Sequence, residues 1–197
     1  MIRIAMTLLA GLFLGGIVHL VSVLTLPRIG TNDAYSRLED DTKVNTVTAL
    51  PLAEPGKAPM PFMDPAFASA VCRYDLSEGP IRLTVPVSMS YTSVSFYTDN
   101  DVAYYAINDR SAGRRVIELS LMTEEQHAAL PEDEDVTAAD RLIIDSPTEA
   151  GLIVLKALAA EPGLMPQAVA SLAAARCEVA PPESTPAAGA GTGAGKR

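Results

Sequence analysis

Residues 91–109, YTSVSFYTDNDVAYYAIND, bring three aspartates and four tyrosines into one short segment. Carboxylates this close together can serve as general acids and bases, or as oxygen ligands for a hard cation. The triplet Asp99-Asn100-Asp101 has the donor types of a calcium loop, but the central glycine and the downstream glutamate are missing. Asp and Asn also favour turns, because their side chains bond neighbouring amides and tolerate left-handed backbone. Segments of alternating polarity flank the triplet, so it reads as the polar tip of a β-hairpin, with Asp99 and Asp101 exposed. On this reading the site holds no metal and no cofactor, and no residue is assigned as catalytic.

Cys72 and Cys177 are the only cysteines. In an oxidising compartment two such thiols are expected to be bridged; two separate buried thiols are the alternative. A cysteine nucleophile needs a nearby base. His127 is the only histidine outside the apolar N-terminal segment, and it sits in the acidic stretch TEEQHAAL with no visible link to either thiol.

The segment Ile4–Leu26 carries no Asp, Glu, Lys or Arg. At 1.5 Å per residue it would be about 34 Å long, enough to cross a bilayer. A cleaved signal peptide would have a shorter apolar core and a small-x-small exit, which SVLTLPRIG lacks. An uncleaved signal-anchor is the preferred reading, and cleavage the alternative. A short N-terminal tail and a long polar domain imply a single-pass protein of the bacterial cytoplasmic membrane, with its C-terminal domain in the periplasm. Gly11 and Gly15 have the G-x-x-x-G spacing that lets membrane helices approach closely. The expected partners are therefore the bilayer and, through this helix, a second copy. The formal charge of −9, with no basic cluster, argues against nucleic acid.

Four regions follow: the signal-anchor at 1–28, an extended linker at 29–61, an exported β-rich domain at 62–179 and a disordered tail at 180–197. The linker is punctuated by Pro51, Pro55, Pro59 and Pro61, with a short helix near Ala34–Leu38. Asp64-Pro65 reads as the start of a helix carrying Phe67, Val71 and Cys72. Strands are expected where apolar residues alternate: Ile81, Leu83 and Val85; Val94 and Phe96; Val102, Tyr104 and Ala106; Ile117, Leu119 and Leu121; and last, Leu142–Ile144. An acidic helical or irregular excursion, 123–140, precedes that last strand. SPTE at Ser146–Glu149 reads as a capping box launching a buried helix through EAGLIVLKALAA. A second helix from Pro166 has Val169, Leu172 and Ala173 as its inner stripe and Cys177 at its end. The fold class is α+β: a transmembrane helix, then a small antiparallel β-sandwich-like sheet with C-terminal helices.

The order VCRYDLSEGPIRLTVPV, SVSFYTDNDVAYYAINDRSAG, LIIDSPTEAGLIVLKAL resembles a bacterial family, the domain-of-unknown-function family twelve-fifty-four, in its short membrane-anchored form. The resemblance covers roughly Leu50–Arg176. It implies an exported, β-rich domain with a sandwich-like arrangement, and association with a partner carrying a sister unknown-function domain. It supplies no agreed activity and so no catalytic residue.

The expected function is that of a membrane-anchored envelope protein with a non-enzymatic binding or complex-assembly domain. The alternative is a small-molecule or lipid-processing enzyme or binder with a site between sheet and helices. The candidate pocket residues for that alternative are Arg73, Asp75, Glu78, Tyr104, Tyr105 and Arg110. Buried ion pairs and ordinary strand tyrosines would explain the same residues.

Overall fold

A computed structural model describes residues 2–29, 34–54, 56–112, 115–130 and 142–180. The residues 131–141 and the tail 181–197 lie outside the described residues, and with them the disordered tail and most of the acidic excursion expected at 123–140, whose start, Glu124–Ala128, is helical. Helix α1 (Ile2–Ile29) contains the apolar segment, with its side chains exposed in the isolated chain. Among the described residues it is the one helix long and apolar enough to span a bilayer. Its polar side chains are partly satisfied internally: Thr7 Oγ1 donates to the Arg3 carbonyl at 2.9 Å, and Thr25 Oγ1 to that of Val21 at 2.7 Å. One-turn helix α2 (Ala34–Arg37) lies where expected.

Among the described residues nine strands form two sheets: β1 (Val47–Ala49), β2 (Phe67–Asp75), β3 (Ile81–Pro86), β4 (Tyr91–Thr98), β5 (Ala103–Asn108), β6 (Val116–Thr123), β7 (Leu142–Ser146), β8 (Ala150–Leu158) and β9 (Arg176–Val179). The order is β1-β2-β8-β4-β5 in one sheet and β7-β6-β3-β9 in the other. All pairings are antiparallel except β6 with β7. Short helices α3 (Asp109–Ala112) and α4 (Glu124–Ala128) flank β6, and α5 (Met165–Ala173) precedes β9. The inner faces share one core. Ala70, Cys72, Tyr74, Val94, Phe96, Ile153 and Leu155 meet Ile81, Leu83, Val85, Ile117, Leu119 and Leu121. The fold is thus α+β and sandwich-like, and the alternating faces expected of β3, β4 and β6 are the core faces.

Two expected helices are strands. Asp64 caps a turn, not a helix: its Oδ1 accepts from the Ala66 amide at 2.9 Å, and its carbonyl from Phe67 N–H at 3.1 Å. The chain then enters β2. The run after SPTE is β8, paired along its whole length with β2 and β4. A strand buried on both faces reads as a continuous apolar run, and such a run cannot be told from a buried helix by periodicity. Ser146 does not cap a helix; its hydroxyl donates to the Thr148 carbonyl at 2.7 Å in the turn between β7 and β8. Leu142–Ile144 is therefore not in the last strand, since β8 and β9 follow.

Three smaller corrections concern faces and boundaries. In α5, Ala168 and Leu172 face the core, while Val169 and Ala173 are exposed. Val102, Tyr104 and Ala106 do not share a face, because the register shifts between Phe96 and Tyr97 and leaves Tyr104 as the extra residue of a β-bulge. Part of the segment read as a linker is folded: Leu38 is buried, and Val47–Ala49 pairs with Ala70–Cys72.

Cys72 and Cys177, expected on helices, lie on β2 and β9. They are bridged, with Cα atoms 6.5 Å apart, and join the two sheets.

Gly151 sits on β8 between Tyr74 and Thr98. A Cβ there would overlap the Tyr97 carbonyl oxygen and the Tyr74 hydroxyl. Backbone of a central strand cannot give way, so Gly151→Ala should destabilise the domain by about 3 kcal/mol or more, read from urea unfolding. A change under 0.5 kcal/mol would mean that Tyr74 can leave its place freely.

Candidate functional site

The outer face of the five-stranded sheet carries a groove of about 240 Å³. Its floor is Val71 of β2, Leu152 and Val154 of β8, and Tyr97 of β4. Strand alternation sends these residues away from the sandwich core, where polar side chains would be expected on a solvated face. Residues 34–54 and 56–63 bring Ala34, Leu38, Leu50 and Met60–Met63 back over them instead. Leu38 and Leu50 form one wall, and the run Met60–Met63 forms the lip. Lys156 is at one end, exposed, with no ion pair or hydrogen bond among the described residues. At the other end Asp101 Oδ2 accepts from the Ala34 amide at 2.8 Å, tying the hairpin tip to α2.

The six candidate pocket residues do not converge on this groove. Arg73 is buried and clamps the groove wall. Its guanidinium carbon lies 4.7 Å from the Tyr35 ring centroid, its Nη1 donates to the Glu39 carbonyl at 3.1 Å, and its Nη2 is 3.7 Å from Glu39 Oε1. Asp75 closes a turn. Hydrogen bonds from Ser77, the hydroxyl first and the amide second, hold its carboxyl below the usual range. Glu78 and Arg110 are exposed, and Tyr105 is 36% exposed on β5.

Tyr104 turns inward at the bulge. Its hydroxyl is 3.1 Å from that of Tyr74, which also meets Ser146 Oγ at 3.0 Å and donates to the Tyr97 carbonyl at 3.3 Å. Burial pushes the Tyr104 phenol well above its ordinary value. This is a structural polar cluster, closed by its own hydrogen bonds.

The hairpin tip is where the sequence puts it. Asp101 is exposed and has a left-handed φ of 59°, while Asp99 is half-buried and accepts from Asn100 Nδ2 at 2.9 Å. Sequence reasoning missed one pair: His127 Nδ1 lies 2.8 Å from Asp145 Oδ1 across α4 and β7. Among the described residues, no group of three or more His, Cys, Asp or Glu converges as a metal site.

The exposed edge at β5 is a second surface. Its sequence AYYAIN has no charge and no proline, and Ala103, Tyr105 and Ala106 are exposed. Natural edge strands are usually blunted by charge or proline. Among the described residues the bulge is the one such device, and it leaves Tyr105–Asn108 regular.

Residues 44–178 match the family described as Protein of unknown function (DUF1254). The chain belongs to that family. No curated protein matches it. The VPA0106 protein from Vibrio parahaemolyticus has a similar structure, with TM-score 0.55 at 10% identity over 74% of this chain and 32% of that one. That likeness is one of fold. An uncharacterised Burkholderia cenocepacia protein gives TM-score 0.42 at 14% identity, over 60% of this chain and 33% of its own. This chain spans about a third of the length of each.

Tyr104 sets a pH limit on the domain. Its folded-state pKa is raised, so the folded state holds its proton more tightly than the unfolded state. The stability it contributes is full below the ordinary tyrosine value of about 10 and is lost as pH rises above it. Chemical unfolding between pH 7 and 11 should show a decline starting near pH 10, and Tyr104→Phe should make that decline shallower. Identical profiles for the two proteins would show that this phenol does not govern alkaline stability.

Proposed function

We propose that the protein is a membrane-anchored, non-enzymatic binding and assembly domain, held by α1 on the outer side of the cytoplasmic membrane. The length and composition of α1 support the anchor, and the Cys72–Cys177 bridge supports an oxidising compartment. The non-enzymatic reading is supported by the roles of the candidate residues. Arg73, Asp75 and Tyr104 are engaged in bonds that hold the fold together.

The observation that carries assembly is the edge of β5, which no further strand covers among the described residues. An uncharged strand edge presents unpaired N–H and C=O groups to a further strand, and strand addition gives affinity through main-chain hydrogen bonds. The partner proposed is a protein carrying a sister unknown-function domain. The lengths support it: the Vibrio protein contains this fold as about a third of its chain. A homodimer through Gly11 and Gly15 would bring two such edges into one complex.

A specific observation also favours the second reading, a small-molecule or lipid binder with a site between sheet and helices. The groove lies between the outer sheet face and α2, and its floor is apolar.

Protease added to osmotically opened cells should digest the domain or its connection to α1 while cytoplasmic proteins survive. A soluble species beginning near Gly30 would show instead that α1 is removed as a signal sequence. Assembly has its own test. Ala103→Lys with Ala106→Lys places charge on exposed edge positions and should shift the melting temperature by no more than about 2 °C. The same pair should abolish co-purification with a co-expressed protein carrying the sister domain. Undiminished co-purification would remove β5 from the interface.

A further inference from the structure

We infer that the groove on the outer sheet face takes one acyl chain of an anionic lipid from the membrane that holds α1. The inference rests on the anchor proposed above and names the ligand of the second reading. Three features of the molecule point to it.

The first is position. The groove is lined at one end by Ala34, five residues after Ile29 at the end of α1. A fully extended chain spans at most about 3.6 Å per residue, so this end of the groove lies within about 18 Å of the end of the anchor. The bilayer is the nearest source of apolar ligand.

The second is shape and chemistry. Val71, Leu152 and Val154 make most of the floor apolar, with Ser69 and Tyr97 as its hydroxyl-bearing members, and a volume of about 240 Å³ is below the 300–1,000 Å³ usual for drug-sized ligands. A single alkyl segment fits such a space, while a folded peptide helix does not. Lys156 continues the outward row of β8 beyond Leu152 and Val154, and it has no anion of its own among the described residues. An acyl chain lying along that row would bring an anionic headgroup to the ammonium.

The third is Phe62. It stands fully exposed at the lip, with a left-handed φ of 59°. A bulky residue rarely adopts that backbone, and such strain clusters where ligands are clamped. A fully solvated aromatic ring in a strained backbone gains nothing in water. It gains apolar contact once an acyl chain or the bilayer interface reaches the lip.

The test uses the full chain reconstituted in nanodiscs with phosphatidylglycerol bearing a photoactivatable group on one acyl chain. Crosslinks are mapped by mass spectrometry. Label is expected on α1, and also on the peptides containing Leu152–Lys156 and Met60–Met63. Val154→Asp should remove the groove label. Lys156→Ala, at an exposed position that leaves the fold intact, should lower it about fivefold, the worth of one lysine at an anionic surface. It should bring it to the level given by the same probe on phosphatidylcholine. The label on α1 should not change in either variant.

Label on α1 without label in the groove would overturn the inference and leave the anchor standing. Absence of label on α1 would overturn the anchor and, with it, the inference that its membrane supplies the lipid. Groove label that ignores both substitutions would overturn the site. Equal labelling by a free photoactivatable fatty acid would overturn the membrane lipid as its occupant.

Discussion

Most of this structure follows from the two-sidedness of β8. Its inward residues Gly151, Ile153, Leu155 and Ala157 face the second sheet, yet Leu152 on the outward side is buried as well. Fully burying a leucine stabilises by about 1.5–3 kcal/mol, so an outward apolar row left in water would be costly. The second sheet covers one face, and residues 34–54 and 56–63 cover the other. That cover consists of one helical turn and a proline-rich run, so it is thin. Leu38 closes one part of the floor, and the rest remains an open groove. The candidate site is therefore a by-product of how a central strand is roofed. Arg73 matters to it as a clamp: stacked on Tyr35 and bonded to Glu39, it keeps α2 and Leu38 on the sheet.

The second constraint acts through β2. Cys72 bonds covalently to β9, one edge of the four-stranded sheet. Two residues on, Tyr74 bonds to Ser146 at the end of β7, the opposite edge. One strand thus holds both borders of the facing sheet. The chain-entropy account gives at most about 4–5 kcal/mol for a bridge spanning 105 residues. Tyr74 adds a buried hydroxyl whose partners come from β4, β5 and β7. Gly151 makes room for it. The bulge at Tyr104 completes the cluster by turning a second phenol inward.

What the sequence reveals depends on how many faces of an element are wetted. PIRLTVPV, SVSFYT and RVIELSLM each bury one face, so alternation exposes them as strands with the right residues inward. β2 and β8 have buried residues on both faces, alternation vanishes, and alanine-rich apolar runs then imitate helices. The hairpin tip at Asp99–Asp101 is legible because turn chemistry is local. The groove is not legible, since it needs Ala34, Leu38, Leu50 and Met60–Met63 to return onto strands as distant in sequence as Leu152 is from Leu38. The His127–Asp145 pair is hidden too, because its two side chains lie 18 residues apart on different elements, α4 and β7. The cysteines are an intermediate case: their bridging was readable from compartment and number, but their strand positions were not.

The hairpin between β4 and β5 links the two surfaces. Tyr97 is part of the groove floor, and it pairs with Ala103 at the start of the free edge. Asp101 lines the groove and bonds to the first amide of α2, the helix that follows α1 in the chain. An occupant of the groove and a strand added at β5 would therefore touch opposite sides of the same hairpin. If occupancy orders that hairpin, part of the entropy cost of docking a partner strand is already met before the partner arrives. Linkage then makes the effect reciprocal: a partner on β5 tightens the groove's hold on its ligand by the same factor. No moving domain is needed for such coupling. Two surfaces that share one short hairpin, itself tied to α2, would be sufficient.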